Sequence, residues 1–200
     1  MKIYNYLALG DSYTIGEQVP IDESFPYQTV QLLRKKGLYV YAPEIIATTG
    51  WTTDELNEGM DATAILSNYS FVSLLIGVNN QYRGRTAENF RTEFENLLQR
   101  GIHFAGSKSA HVFVISIPDW GVTPFARGKD IEKIAREIDA YNLICASAAK
   151  KFQTHFIDIT VSQRQDGNKE EFLAADKLHP SGKEYAKWAA QLSEKIFKVI

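Results

Sequence analysis

Two kinds of apolar run alternate along this chain. Short, nearly continuous runs read as strands: Tyr4–Leu9, Tyr39–Ala47, Phe71–Ile76, His111–Ile117 and Phe156–Ile159. Longer runs with apolar residues three and four apart read as helices: Pro26–Lys36, Thr53–Leu66, Ala87–Phe104, Asp130–Phe152 and Ser181–Val199. In the Ala87–Phe104 run, Phe90, Phe94, Leu97 and Leu98 fall on one stripe. Gly37 stops the helix before it, Thr52 or Thr53 caps the next, and Ser181 with Glu184 has the spacing of a capping box. Pro43 inside the second strand predicts interrupted or edge pairing. Five strands alternating with helices predict an α/β fold, a parallel sheet covered on both faces with right-handed crossovers.

Length and composition narrow this. The 200 residues suit one domain over 1–200, with no linker, repeat or low-complexity tract. A formal charge of −2 and short basic clusters argue against a nucleic-acid partner. The single cysteine, Cys145, excludes an internal disulfide and lies in an apolar helical pattern, where a buried structural thiol is expected. No run approaches the ~18 apolar residues of a membrane span, and the Met1–Asn5 start has no signal-peptide pattern, so the expected compartment is cytoplasmic.

In open parallel sheets, ligands bind beyond the carboxyl ends of the strands. The turns there are Gly10-Asp11-Ser12, Thr49-Gly50-Trp51, Gly77-Val78-Asn79-Asn80, Pro118-Asp119-Trp120-Gly121 and, before the last helix, Asp176-Lys177-Leu178-His179-Pro180. Polar groups and glycines collect at each. No phosphate loop, His-Glu-x-x-His or paired cysteine occurs; His103, His111 and His155 lie in or beside elements, where structural roles are expected. Neither a metal nor a cofactor is expected.

Gly10-Asp11-Ser12, Gly50, Gly77-x-Asn79 and Asp176-x-x-His179 resemble, in order, the four motif blocks of the SGNH/GDSL hydrolase family, and the likeness runs from residue 7 to about 182. Each block alone is weak; four in order at strand ends are specific. The resemblance implies a three-layer α/β/α sandwich of the flavodoxin-like kind and a serine esterase. It also implies an oxyanion hole formed by the Ser12 and Gly50 backbone N–H groups and the Asn79 amide. Asn80 stands where many relatives have Asp, and Tyr13 where the family name implies Leu.

The residues support the same chemistry physically. A serine hydroxyl needs a base to take its proton, His179 can serve, and Asp176 can hold the far imidazole nitrogen. Singly, Ser12 reads as a helix cap and His179 as a loop histidine; together they read as a relay. Trp51, Tyr82, Trp120, Val122 and Phe125 fall near the rim, where they either wall a substrate site or cap the core under loops. Without a long insertion to form a lid, the expected substrate is a short-chain ester or a lysophospholipid-like lipid. The alternatives are deacetylation of a glycan and, third, a non-catalytic binding protein of the same fold. The relay itself says nothing of oligomeric state.

Overall fold

A computed structural model describes residues 2–200. Its strands are β1 (Ile3–Tyr4), β2 (Tyr6–Gly10), β3 (Tyr39–Val40), β4 (Glu44–Ala47), β5 (Phe71–Leu75), β6 (Val112–Ile115) and β7 (His155–Ile157). Its α-helices are α1 (Ser12–Ile15), α2 (Phe25–Lys35), α3 (Thr53–Asp61), α4 (Val78–Tyr82), α5 (Ala87–Phe104), α6 (Ile131–Lys151), α7 (Thr160–Asp166) and α8 (Gly182–Phe197). The main sheet is all parallel, in the order β4-β2-β5-β6-β7. β2 and β5 are buried at every residue, as a strand covered on both faces must be. Helices α2 and α8 pack together, and α5 packs against both α3 and α6, so the sheet is the middle of three layers. This is the α/β sandwich with five parallel strands that the sequence predicts.

The predicted stripe of α5 is buried: Phe90, Phe94, Leu97 and Leu98 line one side. Cys145 is likewise buried, and burial pushes its thiol well up, so it is an inert core residue. His111 contacts the Ser70 carbonyl through Nδ1 at 2.7 Å, and His155 stacks on Phe113.

Several boundaries differ from the sequence reading. The second predicted strand is two strands: β3 pairs with β1 in a separate two-stranded sheet, and β4 joins the main sheet beside β2. Pro43 lies between them, where no ladder N–H is required. The helix predicted to reach Leu66 ends at Asp61. The Thr63 hydroxyl turns back onto the Gly59 carbonyl (2.7 Å), and Leu66 is exposed rather than part of an apolar stripe. No capping box forms at α8, because Ser181 Oγ donates to Glu171 O and Glu184 Oε1 accepts from Trp188 Nε1. The capping box lies at α3 instead, where Glu55 accepts the Thr52 N–H at 2.8 Å.

Candidate active site

In the main sheet, β2 has β4 on one side and β5 on the other, although β4 and β5 both follow it in sequence. The chain therefore leaves β2 in one direction and later returns in the other, which opens a crevice at the carboxyl end of β2. Ser12 enters this crevice directly after β2. The turn before it is tight: a Cβ on Gly10 would lie 2.1 Å from Thr14 Oγ1 and 2.4 Å from the Leu75 carbonyl oxygen. Only glycine fits there. Asp11 then caps α1, its Oδ1 accepting the Tyr13 N–H at 3.1 Å. Complete burial raises the Asp11 carboxyl to about 7, with the Tyr13 N–H pulling the other way.

His179 arrives from the far end of the chain. A local antiparallel bridge between Leu173 and Pro180, with Ala174 N–H on His179 O at 2.8 Å, holds its segment. Its Nε2 lies 3.0 Å from Ser12 Oγ and its Nδ1 2.6 Å from Asp176 Oδ2. Asp176 Oδ1 accepts the N–H groups of Leu178 and His179, both at 3.0 Å. Burial alone would raise the Asp176 carboxyl, but these bonds and that to the His179 ring together hold it below the usual range. Ser12 and His179 are buried, with 5% and 7% of their surface exposed, while the cleft above them stays open. Tyr13 packs against the imidazole, ring centres 5.1 Å apart.

The loops after β4 and β5 form the opposite lip. Gly50 sits at φ +83°, the left-handed region that favours glycine. Asn79 Nδ2 donates to the Trp51 carbonyl at 3.0 Å, and an amide NH₂ has a second hydrogen to offer. Both Gly50 and Asn79 line a cleft of about 190 Å³ with Ser12 and His179.

Trp120 lines one wall, with Tyr82 edge-on to it (ring centres 5.3 Å apart) and Phe125 beyond (6.1 Å). Trp120 is fixed from behind, its Nε1–H donating to Gln81 Oε1 at 2.7 Å, and Gln81 Nε2 donating in turn to Glu137 at 2.8 Å. Buried Asp119 accepts the Gly121 N–H at 2.9 Å and pairs with Arg164 at 2.8 Å, which anchors the same turn. Trp51, expected at the rim, is not in the cleft lining. Its ring lies over Gly59, where a Cβ would come within 2.2 Å of it, so only its carbonyl serves the site. The aromatic at 120 had a signal in the sequence, its place after a strand. Gln81, which holds it, had none.

Asn80, where many relatives have Asp, does not face the cleft. It is fully buried; its Oδ1 accepts the Thr53 N–H at 3.1 Å and its Nδ2 donates to Thr53 Oγ1 at 2.6 Å. The Thr53 hydroxyl proton is directed to Glu93, so its oxygen needs a donor, which an amide supplies and a carboxylate does not.

Among the described residues no cluster of three His, Cys, Asp or Glu side chains has metal-binding geometry, and no helix is long and apolar enough to cross a membrane.

Solved structures share this fold, among them the following three. The esterase EstA from Pseudoalteromonas sp., in a form inhibited by monoethylphosphonate, superposes with a TM-score of 0.73 at 15% identity, covering 98% of this chain and 97% of its own. The lipase/acylhydrolase from Enterococcus faecalis gives 0.73 at 21% identity, covering 98% and 95%. The acetylxylan esterase Axe2 from Geobacillus stearothermophilus gives 0.75 at 16% identity, covering 96% and 94%. At such identities they establish the fold alone. A search of curated proteins gives no match. The profile of the GDSL-like lipase/acylhydrolase family matches residues 8–187, nearly the whole chain, and with that the protein belongs to this family of ester-hydrolysing enzymes.

Proposed function

We propose that the protein hydrolyses a short-chain carboxylic ester, or a lysophospholipid-like lipid, through an acyl-enzyme on Ser12. The observation that carries this is the continuous hydrogen-bonded series Ser12–His179–Asp176 at the floor of an open cleft. His179 Nε2 takes the Ser12 proton as Oγ attacks the carbonyl carbon. Asp176, already ionised, holds the ring with Nδ1 protonated and Nε2 free to accept, and stabilises the imidazolium that forms. The negative charge on the former carbonyl oxygen is met by the Ser12 and Gly50 N–H groups and the second Asn79 hydrogen. The imidazolium returns its proton to the departing alcohol. Water, activated by the same ring, then releases the acid.

The size of the cleft supports short acyl groups. Its volume of about 190 Å³ is below the roughly 300–1,000 Å³ of sites for drug-sized ligands. A second reading, removal of acetyl groups from a glycan, is favoured by the half-exposed rings of Tyr82 and Phe125 at the mouth, which offer flat faces to a sugar. Axe2, an acetylxylan esterase, has the same fold.

The test is hydrolysis of p-nitrophenyl esters from C2 to C12, and of acetylated oligosaccharides, by wild type and Ser12→Ala. The expected outcome is a maximum at C2–C6 for wild type and a loss of at least about 10³-fold in the variant. Equal rates in the two proteins would rule out Ser12 as nucleophile. A maximum at C12 would contradict the short-acyl assignment, and faster turnover of the sugar acetates would favour the glycan reading. No turnover of any of them would favour a binding protein.

A further inference from the structure

Thr48 to Trp51 form a β-turn closed by Trp51 N–H on the Thr48 carbonyl at 3.2 Å, with Gly50 at φ +83° in its third position and Thr49 at ordinary negative φ. That combination is a type II turn. Its middle peptide, which contains the Gly50 N–H, stays outside the closing bond. The same residues could form a type I turn by rotating that peptide through about half a circle. The N–H would then point away from its present side, and the oxyanion would lose a donor. The turn type thus sets the direction of that N–H, while its place relative to Ser12 is set by the contacts that hold the turn.

The turn is gripped from three sides. The Thr49 hydroxyl donates to Glu17, which follows α1. Asn79, on α4, donates to the Trp51 carbonyl at 3.0 Å. Arg83, one helical turn further on, donates through Nη2 to the Gly50 carbonyl at 2.6 Å. The guanidinium is itself held: its Nη1 lies 3.0 Å and 3.2 Å from the two Glu55 oxygens, and Glu55 is fixed by the Thr52 N–H at 2.8 Å in the α3 capping box. The Gly50 carbonyl belongs to the peptide after the middle one, so this bond does not select the turn type; it fixes where the turn stands against α4, and with it the place of the Gly50 N–H.

We propose that Arg83 is a positioning residue for ester hydrolysis: braced by Glu55, it locks the 48–51 turn so that the Gly50 N–H faces the developing oxyanion. This rests on the oxyanion role of Gly50 proposed above. Arg83 acts through geometry rather than charge, because its side chain is 43% exposed and the field of such a group is screened by water.

The experiment compares wild type, Arg83→Met, Arg83→Lys and Asn79→Ala for kcat and KM on p-nitrophenyl acetate. It also measures inhibition by an alkyl trifluoromethyl ketone. Ser12 Oγ adds reversibly to the ketone carbon, its proton passes to His179, and the ketone oxygen becomes an oxyanion that reads the hole directly. Arg83→Met keeps the unbranched stem of the side chain but no donor. It is expected to lower kcat about 10- to 100-fold with KM nearly unchanged, and to weaken the ketone in step. Arg83→Lys regains part of both, since one ammonium reaches the carbonyl but cannot fork onto Glu55. Thermal melting checks that each variant is folded. If Asn79→Ala loses about 10²- to 10³-fold while Arg83→Met stays close to wild type, the clamp is wrong and the oxyanion reading stands. If Asn79→Ala is also close to wild type, the oxyanion reading fails and the clamp fails with it. A lower kcat with unchanged ketone affinity also overturns the proposal.

Discussion

Asp11 stands beside Ser12, fully buried, with Oδ2 unpartnered among the described residues. It was visible in the sequence only as part of a Gly-Asp-Ser turn. The structure gives it a price in stability that depends on pH. Its carboxyl titrates at about 7 in the folded protein against 3.8 as its ordinary value, because burial disfavours the charged form. Between those values the native state holds a proton that the unfolded chain has released. Stability therefore falls as pH rises from about 4 to about 7 and levels off above, a loss on the order of a few kcal/mol. Asp176 acts oppositely: its carboxyl is lowered, so its contribution is complete above the ordinary carboxylate range and disappears only in stronger acid. Asp11→Asn keeps the acceptor for Tyr13 N–H and removes the charge. Urea midpoints from pH 4.5 to 8 should decline in wild type and stay flatter in the variant, with the gap widest at and above pH 7. Parallel curves for the two proteins would show that the carboxyl does not carry this cost.

Among the elements, α4 concentrates the most function into the least sequence signal. Five residues cannot display a helical period, and Val78-Asn79-Asn80-Gln81-Tyr82 has no apolar stripe to detect. Such a helix exists only through its tertiary contacts. Asn79 takes the Trp51 carbonyl, Asn80 clamps the start of α3, Gln81 holds Trp120, and Tyr82 extends the aromatic wall. The long elements were legible because α5, α6 and α8 each bury a repeated stripe. Short α1, α4 and α7 were not. Strand limits blurred where a residue such as Pro43 separates two pairings that a single apolar run conceals. The residues of the Ser12–His179–Asp176 hydrogen-bonded series were legible through their order along the chain, but Arg83 and Gln81 were not, since a lone Arg or Gln in a loop or short helix has no pattern of its own. Gln81→Leu tests the support of the wall. It leaves the buried Trp120 Nε1–H without its acceptor, at a cost of about 1–3 kcal/mol. A lower melting temperature is expected, with a raised KM and a kcat for p-nitrophenyl acetate that changes much less. A variant with wild-type KM across the acyl series would show that the Trp120 wall does not need this bond.

Across the whole molecule, the Ser12–His179 hydrogen bond joins the two ends of the chain: its residues are 167 positions apart. Their meeting depends on α8 docking against α2 and the start of the sheet. Trp188 of α8 is fully buried, its ring centre 6.3 Å from Tyr13 and 6.2 Å from Phe25, and Tyr13 in turn packs on His179. These residues belong to the same continuous core as the β2 and β5 side chains, so α8 has no separate core on which to come away alone. A shared core makes the site as stable as the fold. In urea, loss of esterase activity and loss of far-UV circular dichroism should therefore follow one curve. Trp188→Ala should move that curve to lower urea by the equivalent of about 3–5 kcal/mol, with both signals still superposed, because the cavity weakens the core as a whole. Activity that vanishes while the dichroism remains native, in either protein, would show that α8 detaches first and that the site is a separate, weaker unit of the structure.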